Sequence, residues 1–93
     1  MPFQDQTLYQ FHGTHWNEVS GVYGILDVNR NMLYIGQTDN LKRRHGEHCA
    51  DTSHLMHRYR IGFLIFENIT DPTRRTVREM QLIREYNPPC NRR

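Results

Sequence analysis

The chain has 93 residues and a formal net charge of +2, which favours one small domain with a modest core. No apolar stretch approaches the roughly 20 residues needed to span a bilayer, and the N-terminus does not resemble a signal peptide. We therefore expect a cytoplasmic protein with no membrane partner. Cys49 and Cys90 are too few and too far apart to indicate a disulfide framework, so we expect reduced thiols.

The basic residues are clustered, although their small excess over acidic residues does not establish a nucleic-acid partner. The clusters lie at 42–44, 74–78 and 92–93. Arginine, which suits bidentate phosphate contacts, greatly outnumbers lysine. Lys42 and Arg43 are therefore candidate phosphate-binding residues. The alternative is that each cluster is a solvated helix face.

The first half of the chain predicts an extension followed by a β-hairpin. Polar residues and spaced aromatic rings without a clear period indicate an extension over 1–18, packed on a domain formed by 19–93. β-branched and aromatic content and central turn residues predict strand 21–28, turn 29–31 and strand 32–36. The hairpin would bring Tyr23 and Tyr34 onto adjacent strands.

The second half predicts three helices and one further strand. The predicted bounds are helix 41–50, a short helix 54–60, strand 61–69 and helix 72–86. Asp71 followed by Pro72 is a characteristic helix start. The order β-β-α-α-β-α indicates an α+β domain with a small three-stranded antiparallel sheet flanked by helices.

Three polar side chains do not fit simple amphipathic helices. Leu41, Arg44 and His48 share one helical stripe, so if Leu41 faces the core, Arg44 and His48 lean toward the sheet. The alternative is that Arg44 extends to the surface and His48 is a boundary residue.

On the last helix, Glu79 borders an apolar face. We predict that this face is formed by Val77, Met80, Leu82 and Ile83. A carboxylate against apolar surface needs an arginine partner or a bound cation. Glu85 falls on the outer face and should be solvated.

These residues occur within a recognisable series of motifs. GVY at 21–23, LYIG at 33–36, QTDNLKRR at 37–44 and REMQLIREYNPPCN at 78–91 together resemble the GIY-YIG nuclease family. The resemblance covers about residues 19–91, and its separated motifs occur in the family's order.

The resemblance implies roles for individual positions. By it, the catalytic residues are Tyr23, Tyr34, Arg44, His48 and Glu79, and Glu79 is the metal ligand. Gly21, Gly36 and Asn91 match structural positions of the motifs. Gln37 departs from the excision-repair branch, which has lysine there, so any role of that lysine in activating a tyrosine is missing.

The chemistry implied is metal-dependent hydrolysis of DNA to 5′-phosphate and 3′-hydroxyl ends. One divalent cation, Mg²⁺ with Mn²⁺ as a substitute, would bind Glu79 and the phosphate. Arg44 would contact phosphate oxygens, Tyr23 or His48 would act on the attacking water, and Tyr34 would hydrogen-bond the site. Whether Tyr23 or His48 is the base stays open, as does RNA as a substrate.

Three alternatives remain at the level of sequence. A zinc site could use histidines and a cysteine near the first helix, namely His45, His48, Cys49, His54 and His57. The chain could also be a non-catalytic nucleic-acid-binding module on the same fold. Finally, a homodimer or a partner protein could supply the specificity for which this chain has no extra domain.

Overall fold

The computed structural model describes residues 2–50 and 58–91, which form an α+β fold. Its elements are strands β1 (Tyr9–Gln10), β2 (Gly21–Asp27), β3 (Met32–Thr38) and β4 (Ile61–Asn68), helices α1 (Leu41–Ala50) and α2 (Pro72–Tyr86), and a 3₁₀ turn (Pro89–Asn91). The predicted bounds of both long helices are confirmed. Residues 54–57 of the predicted short helix lie outside the described residues, and so does the basic pair 92–93.

The sheet is antiparallel, as predicted, but it has four strands rather than three, in the order β1-β4-β2-β3. The additional strand comes from the extension, where Tyr9 and Gln10 pair with Leu64 and Phe63. A strand of two residues is too short to show alternation in the sequence. The central position of β2 places Tyr23 in the middle of the sheet.

Local contacts account for the ends of these elements. Asp27 Oδ1 accepts hydrogen bonds from the backbone N–H groups of Asn29 and Asn31, each at 2.9 Å, which closes the hairpin turn. The left-handed turn residue is Arg30, at φ 68°, rather than either asparagine. At the start of α2, Asp71 accepts from the N–H of Thr73 at 2.9 Å, as its position predicts.

The buried face of α2 differs from the prediction. Leu82 is fully buried, whereas Val77 and Met80 are 51% and 54% exposed. At 100° per residue, positions two and five before Leu82 point away from the face that Leu82 occupies. Glu79, three residues before Leu82, lies close to that face and is half-buried.

Two apolar clusters lie on opposite faces of the sheet. Tyr23 and Ile25 pack in one cluster with Leu41 of α1. Val22 packs in the other with Leu82 of α2. Because successive strand residues point to opposite faces, α1 and α2 cover the two sides of β2. Neither helix is long and apolar enough to cross a membrane, and the same holds throughout residues 2–50 and 58–91.

The extension contributes to both clusters. Phe3 is buried beside Leu82, and its N–H donates to the Tyr86 hydroxyl at 3.3 Å. Phe11 is buried in the cluster that contains Tyr23. The Phe11 carbonyl lies 2.6 Å from His45 Nε2, which joins the extension to helix α1.

The contact between His45 and Phe11 predicts a pH dependence of stability. Burial lowers the pKa of His45 below its usual 6.5, with nearby His12 adding to the effect and the bond to the Phe11 carbonyl opposing it. Between the folded and unfolded pKa values the unfolded chain binds more protons, so the free energy of unfolding should decrease as pH falls through this window. We expect His45→Gln to reduce this slope in urea unfolding measured from pH 7.5 to 5.

The matched control is His15→Gln, at an exposed histidine of the N-terminal extension, which His45 contacts through Phe11. This variant should keep the wild-type slope. If the free energy of unfolding depends on pH with the same slope in wild type and His45→Gln, then protonation of His45 is not coupled to folding.

Candidate active site

The centre of the candidate site is the hydroxyl of Tyr23. Tyr23 is 1% exposed, and its hydroxyl oxygen lies 2.7 Å from His48 Nε2. Arg44 Nε donates to the same oxygen at 3.3 Å. The structure therefore brings together three of the residues singled out in the sequence.

Helix α1 supplies both partners of Tyr23. Asn40 Oδ1 accepts from the N–H of Arg43 at 3.0 Å and caps the helix start, while Leu41 is buried against the sheet. Arg44 and His48, one turn apart, then face Tyr23. The inward-facing stripe is observed, and the alternative of a boundary histidine does not hold because His48 is 3% exposed.

Tyr34 completes a cluster of three rings. Its ring centroid lies 6.2 Å from that of Tyr23 and 5.6 Å from that of His48. Tyr34 is half-buried, so it forms part of the more accessible side of the cluster.

One motif glycine allows close packing within this cluster, and a second allows β2 to pack closely against β4. A Cβ at Gly36 would lie 2.6 Å from the Tyr23 hydroxyl oxygen, so any side chain there would displace the phenol. A Cβ at Gly21 would overlap the carbonyl oxygen of Glu67 on β4. Both motif glycines are therefore required by neighbouring atoms.

The hydrogen bonds at Tyr23 are defined on one side by chemistry and on the other by the tautomer of His48. An arginine N–H can only donate, so the Tyr23 oxygen accepts from Arg44. In the His48 tautomer that carries its hydrogen on Nδ1, the Tyr23 hydroxyl donates to the lone pair of Nε2. Burial raises the pKa of Tyr23 above its usual value, and Tyr34 and Glu79 add to the rise while Arg44 opposes it. The phenol is thus held neutral, with a base at hydrogen-bond distance.

Glu79 lies on the α2 side of the sheet and contacts Gln37 of β3. Gln37 Nε2 donates to Glu79 Oε1 at 3.2 Å, and none of the other predicted catalytic residues in the described ranges bonds to this carboxylate. Burial raises the pKa of Glu79, an effect that the bond from Gln37 opposes. The predicted alternative, an ion pair with arginine, is not observed among the described residues.

The donor set at Glu79 fits a divalent cation. The one hydrogen-bond donor to this half-buried carboxylate is neutral and so does not cancel its charge, and the second oxygen is available. Mg²⁺ is commonly held by one or two carboxylates and retains several waters, so a single protein ligand is compatible with it.

An open pocket of about 430 Å³ lies next to both Arg44 and Gln37, the residue that contacts Glu79. It is lined by residues from β3, α1 and α2, namely Gln37, Thr38, Asp39, Arg43, Arg44, Glu47 and Arg75. The pocket therefore lies at the end of β3, with residues of α1 and α2 on its two sides. The arginines make it a suitable place for a phosphate.

The predicted phosphate-binding residues lie on the outer side of α1. Lys42 is exposed, and Arg43 is paired with Asp39 at 2.6 Å. Arg44 Nη1 contacts Glu47 Oε1 at 3.1 Å. Sequence reasoning missed Glu47, although its position three residues after Arg44 was a usable signal.

The side chain of Asn91 hydrogen-bonds to the backbone of strand β3. Its Oδ1 accepts from the N–H of Ile35 and its Nδ2 donates to the carbonyl of Ile35, each at 2.8 Å. The asparagine thereby pairs with the free edge of β3 as a neighbouring strand would.

The zinc alternative finds no support in the part of the chain that is described. No three His, Cys, Asp or Glu side chains within 2–50 and 58–91 are arranged to hold a metal ion. His45 bonds to Phe11 and His48 to Tyr23. His54 and His57, the other proposed ligands, lie outside the described residues.

Known proteins resemble this chain in both sequence and fold. UvrABC system protein C of Rickettsia rickettsii is 32% identical over 77 residues, covering 80% of this chain, and that of Rickettsia canadensis is 30% identical over the same share. The chain spans 12% of the length of these relatives.

Two solved structures share the fold. They are point mutants of the GIY-YIG N-terminal endonuclease domain of UvrC from Thermotoga maritima, each bound to its catalytic divalent cation. Both have a TM-score of 0.72 and cover 84% of this chain and 88% of the matched chain, at 22% and 21% identity.

The sequence also matches a family model. The match covers residues 19–93, and the model describes the GIY-YIG catalytic domain. This stretch contains all five residues of the candidate site and the glycines that pack against them. The chain therefore belongs to the GIY-YIG family.

Proposed function

We propose that this protein is a divalent-metal-dependent endonuclease that hydrolyses DNA phosphodiester bonds. The observation that carries the proposal is the Tyr23 hydroxyl, buried and held between His48 Nε2 and Arg44 Nε. With the lone pair of His48 on Nε2, this phenol accepts from a cation and donates to an imidazole, which is an arrangement for proton transfer. Family membership supports nuclease activity, and the UvrC relatives favour DNA as the substrate.

Tyr23 and His48 would act as a relay. The Tyr23 oxygen takes a proton from the attacking water while the Tyr23 proton moves to His48 Nε2. A standing phenolate is unfavourable because burial raises the pKa of Tyr23. Transfer in one step avoids that phenolate. In this scheme Tyr23 contacts the water and His48 is the final base.

Arg44 would bind the phosphate and open the site. In the present structure Arg44 covers the Tyr23 hydroxyl and contacts Glu47, whose side chain is 50% exposed. An exposed ion pair of this kind is weak, so a phosphate could replace the Glu47 carboxylate. Movement of Arg44 toward the phosphate would give water access to Tyr23 and stabilise the charge that develops on the phosphate oxygens.

Glu79 would hold the cation, which when bound neutralises charge on the phosphate and assists the leaving 3′-oxygen. Tyr34 would hydrogen-bond the substrate from the accessible side of the ring cluster. Lys42 and Arg43 would contact phosphates next to the scissile one. The products would carry 5′-phosphate and 3′-hydroxyl ends.

Metal-dependent nicking of supercoiled plasmid tests this function. We expect nicking with Mg²⁺ or Mn²⁺ and none with EDTA, and DNA ligase should reseal the nick because it has 5′-phosphate and 3′-hydroxyl ends. Glu79→Ala should lower the rate by at least about 100-fold, since it removes the metal ligand.

Glu85→Ala, at an exposed acid of the same helix, is the matched control and should keep wild-type activity. Nicking that survives in Glu79→Ala would contradict the metal assignment. Folded wild-type protein that binds duplex or branched DNA without cutting it would favour a non-catalytic binding module. Cleavage of RNA alone would change the substrate class.

Replacing Tyr23 with phenylalanine should separate catalysis from folding. The lost hydroxyl leaves His48 and Arg44 without one partner, which costs about 1–3 kcal/mol of stability. Cleavage should fall by about 10²–10⁴-fold, the usual contribution of acid–base catalysis. Single-turnover cleavage and urea unfolding measure the two effects, with the exposed Tyr9→Phe as control. Unchanged cleavage would move the water-activating role to Tyr34 or His48.

A further inference from the structure

The side chain of Gln37 connects strand β3 with helix α2. Its Nε2 lies 3.2 Å from Glu79 Oε1 and 3.1 Å from Thr76 Oγ1. The Thr76 hydroxyl lies 3.5 Å from Gln37 Oε1 and 3.1 Å from the carbonyl of Pro72. Because a carboxylate can only accept, the NH₂ end of the amide must face Glu79.

Both residues joined by this hydrogen bond lie on backbone that is held by the sheet or by the core. Gln37 is paired across the sheet with Val22, which is fully buried in the central strand. Glu79 is one turn before Leu82, the buried anchor of α2. The Gln37 side chain therefore joins strand β3 to helix α2, and its length affects the position of the Glu79 carboxylate.

Gln37 also lines the arginine-containing pocket, together with Arg44. It thus lies between the α1 half of the site and Glu79. The bond occupies Oε1 of Glu79 and leaves Oε2 without a hydrogen bond from the described residues. A neutral donor orients the carboxylate without cancelling its charge, whereas an arginine or lysine would compete with a cation.

We propose that Gln37 is a positioning residue that holds the Glu79 carboxylate in the orientation that binds the divalent cation. This inference rests on the proposed function, because it requires Glu79 to be the metal ligand. Outer partners of metal ligands typically contribute about 10–100-fold to metal affinity. In this proposal Gln37 acts through its hydrogen bond to Glu79.

The test is Mn²⁺ binding to the full chain without DNA, measured by electron paramagnetic resonance. Gln37→Met keeps the length of the side chain but cannot donate, and it should weaken Mn²⁺ binding by about 10–100-fold. Gln37→Asn keeps the amide but is one methylene shorter, so it should show the same loss. Two different replacements keep the test valid if one of them fails to fold.

Two controls isolate the bond to Glu79. Gln81→Met makes the same change at an exposed glutamine of α2 and should bind Mn²⁺ as wild type does. Thr76→Val removes the other partner of Gln37 and leaves the Glu79 contact in place, so its loss should be smaller than that of Gln37→Met.

A second measurement separates positioning from general destabilisation. Raising Mg²⁺ should restore plasmid nicking by Gln37→Met toward the wild-type rate but should not restore it in Glu79→Ala. Wild-type Mn²⁺ affinity in Gln37→Met, combined with loss of binding in Glu79→Ala, would overturn the role of Gln37 alone. Equal Mn²⁺ binding by wild type and Glu79→Ala would overturn both this role and the metal assignment of the proposed function.

Discussion

The two hydrogen bonds at the Tyr23 hydroxyl are the interaction on which the candidate site depends. They join the central strand to α1 and hold Arg44 and His48 in one orientation. Burying a hydroxyl without partners is costly, so the fold keeps these side chains together before any substrate arrives. The placement of His48 against Tyr23 is therefore completed during folding, whereas Arg44 is the partner that the proposed function requires to move.

The sheet separates the parts of the site, and the end of β3 brings them together. Tyr23 faces α1, whereas Gln37 faces α2, because alternate residues of paired strands point to opposite sides. A phosphate in the pocket beyond this strand end could contact Arg44 from one helix while a cation on Glu79 approaches from the other. In the proposed function, positive charge from Arg44 and from the cation would reach one phosphate from two helices that lie on opposite faces of the sheet.

Much of this arrangement could be predicted because it follows from short-range periodicity. The spacing of Leu41, Arg44 and His48 indicated that the last two lean toward the sheet, although only the burial of His48 excluded the surface alternative. Asp71 with Pro72 marked the start of α2. Other features depend on contacts distant in sequence. The pairing of Tyr9–Gln10 with β4 has no local pattern, and the buried side of α2 is chosen by the sheet rather than by Val77 and Met80. The partner of Glu79 was also unpredictable, since Gln37 lies 42 residues away.

Gly36 has a consequence for the genetics of such a protein. Every missense change at this codon adds a Cβ atom that would lie 2.6 Å from the Tyr23 hydroxyl oxygen, closer than such atoms can pack. The phenol must then rotate away from His48, although the backbone of β3 is not in a conformation that only glycine adopts. Such alleles would disturb the contact between Tyr23 and His48 while leaving every reactive side chain in place, and a survey restricted to reactive side chains would overlook them.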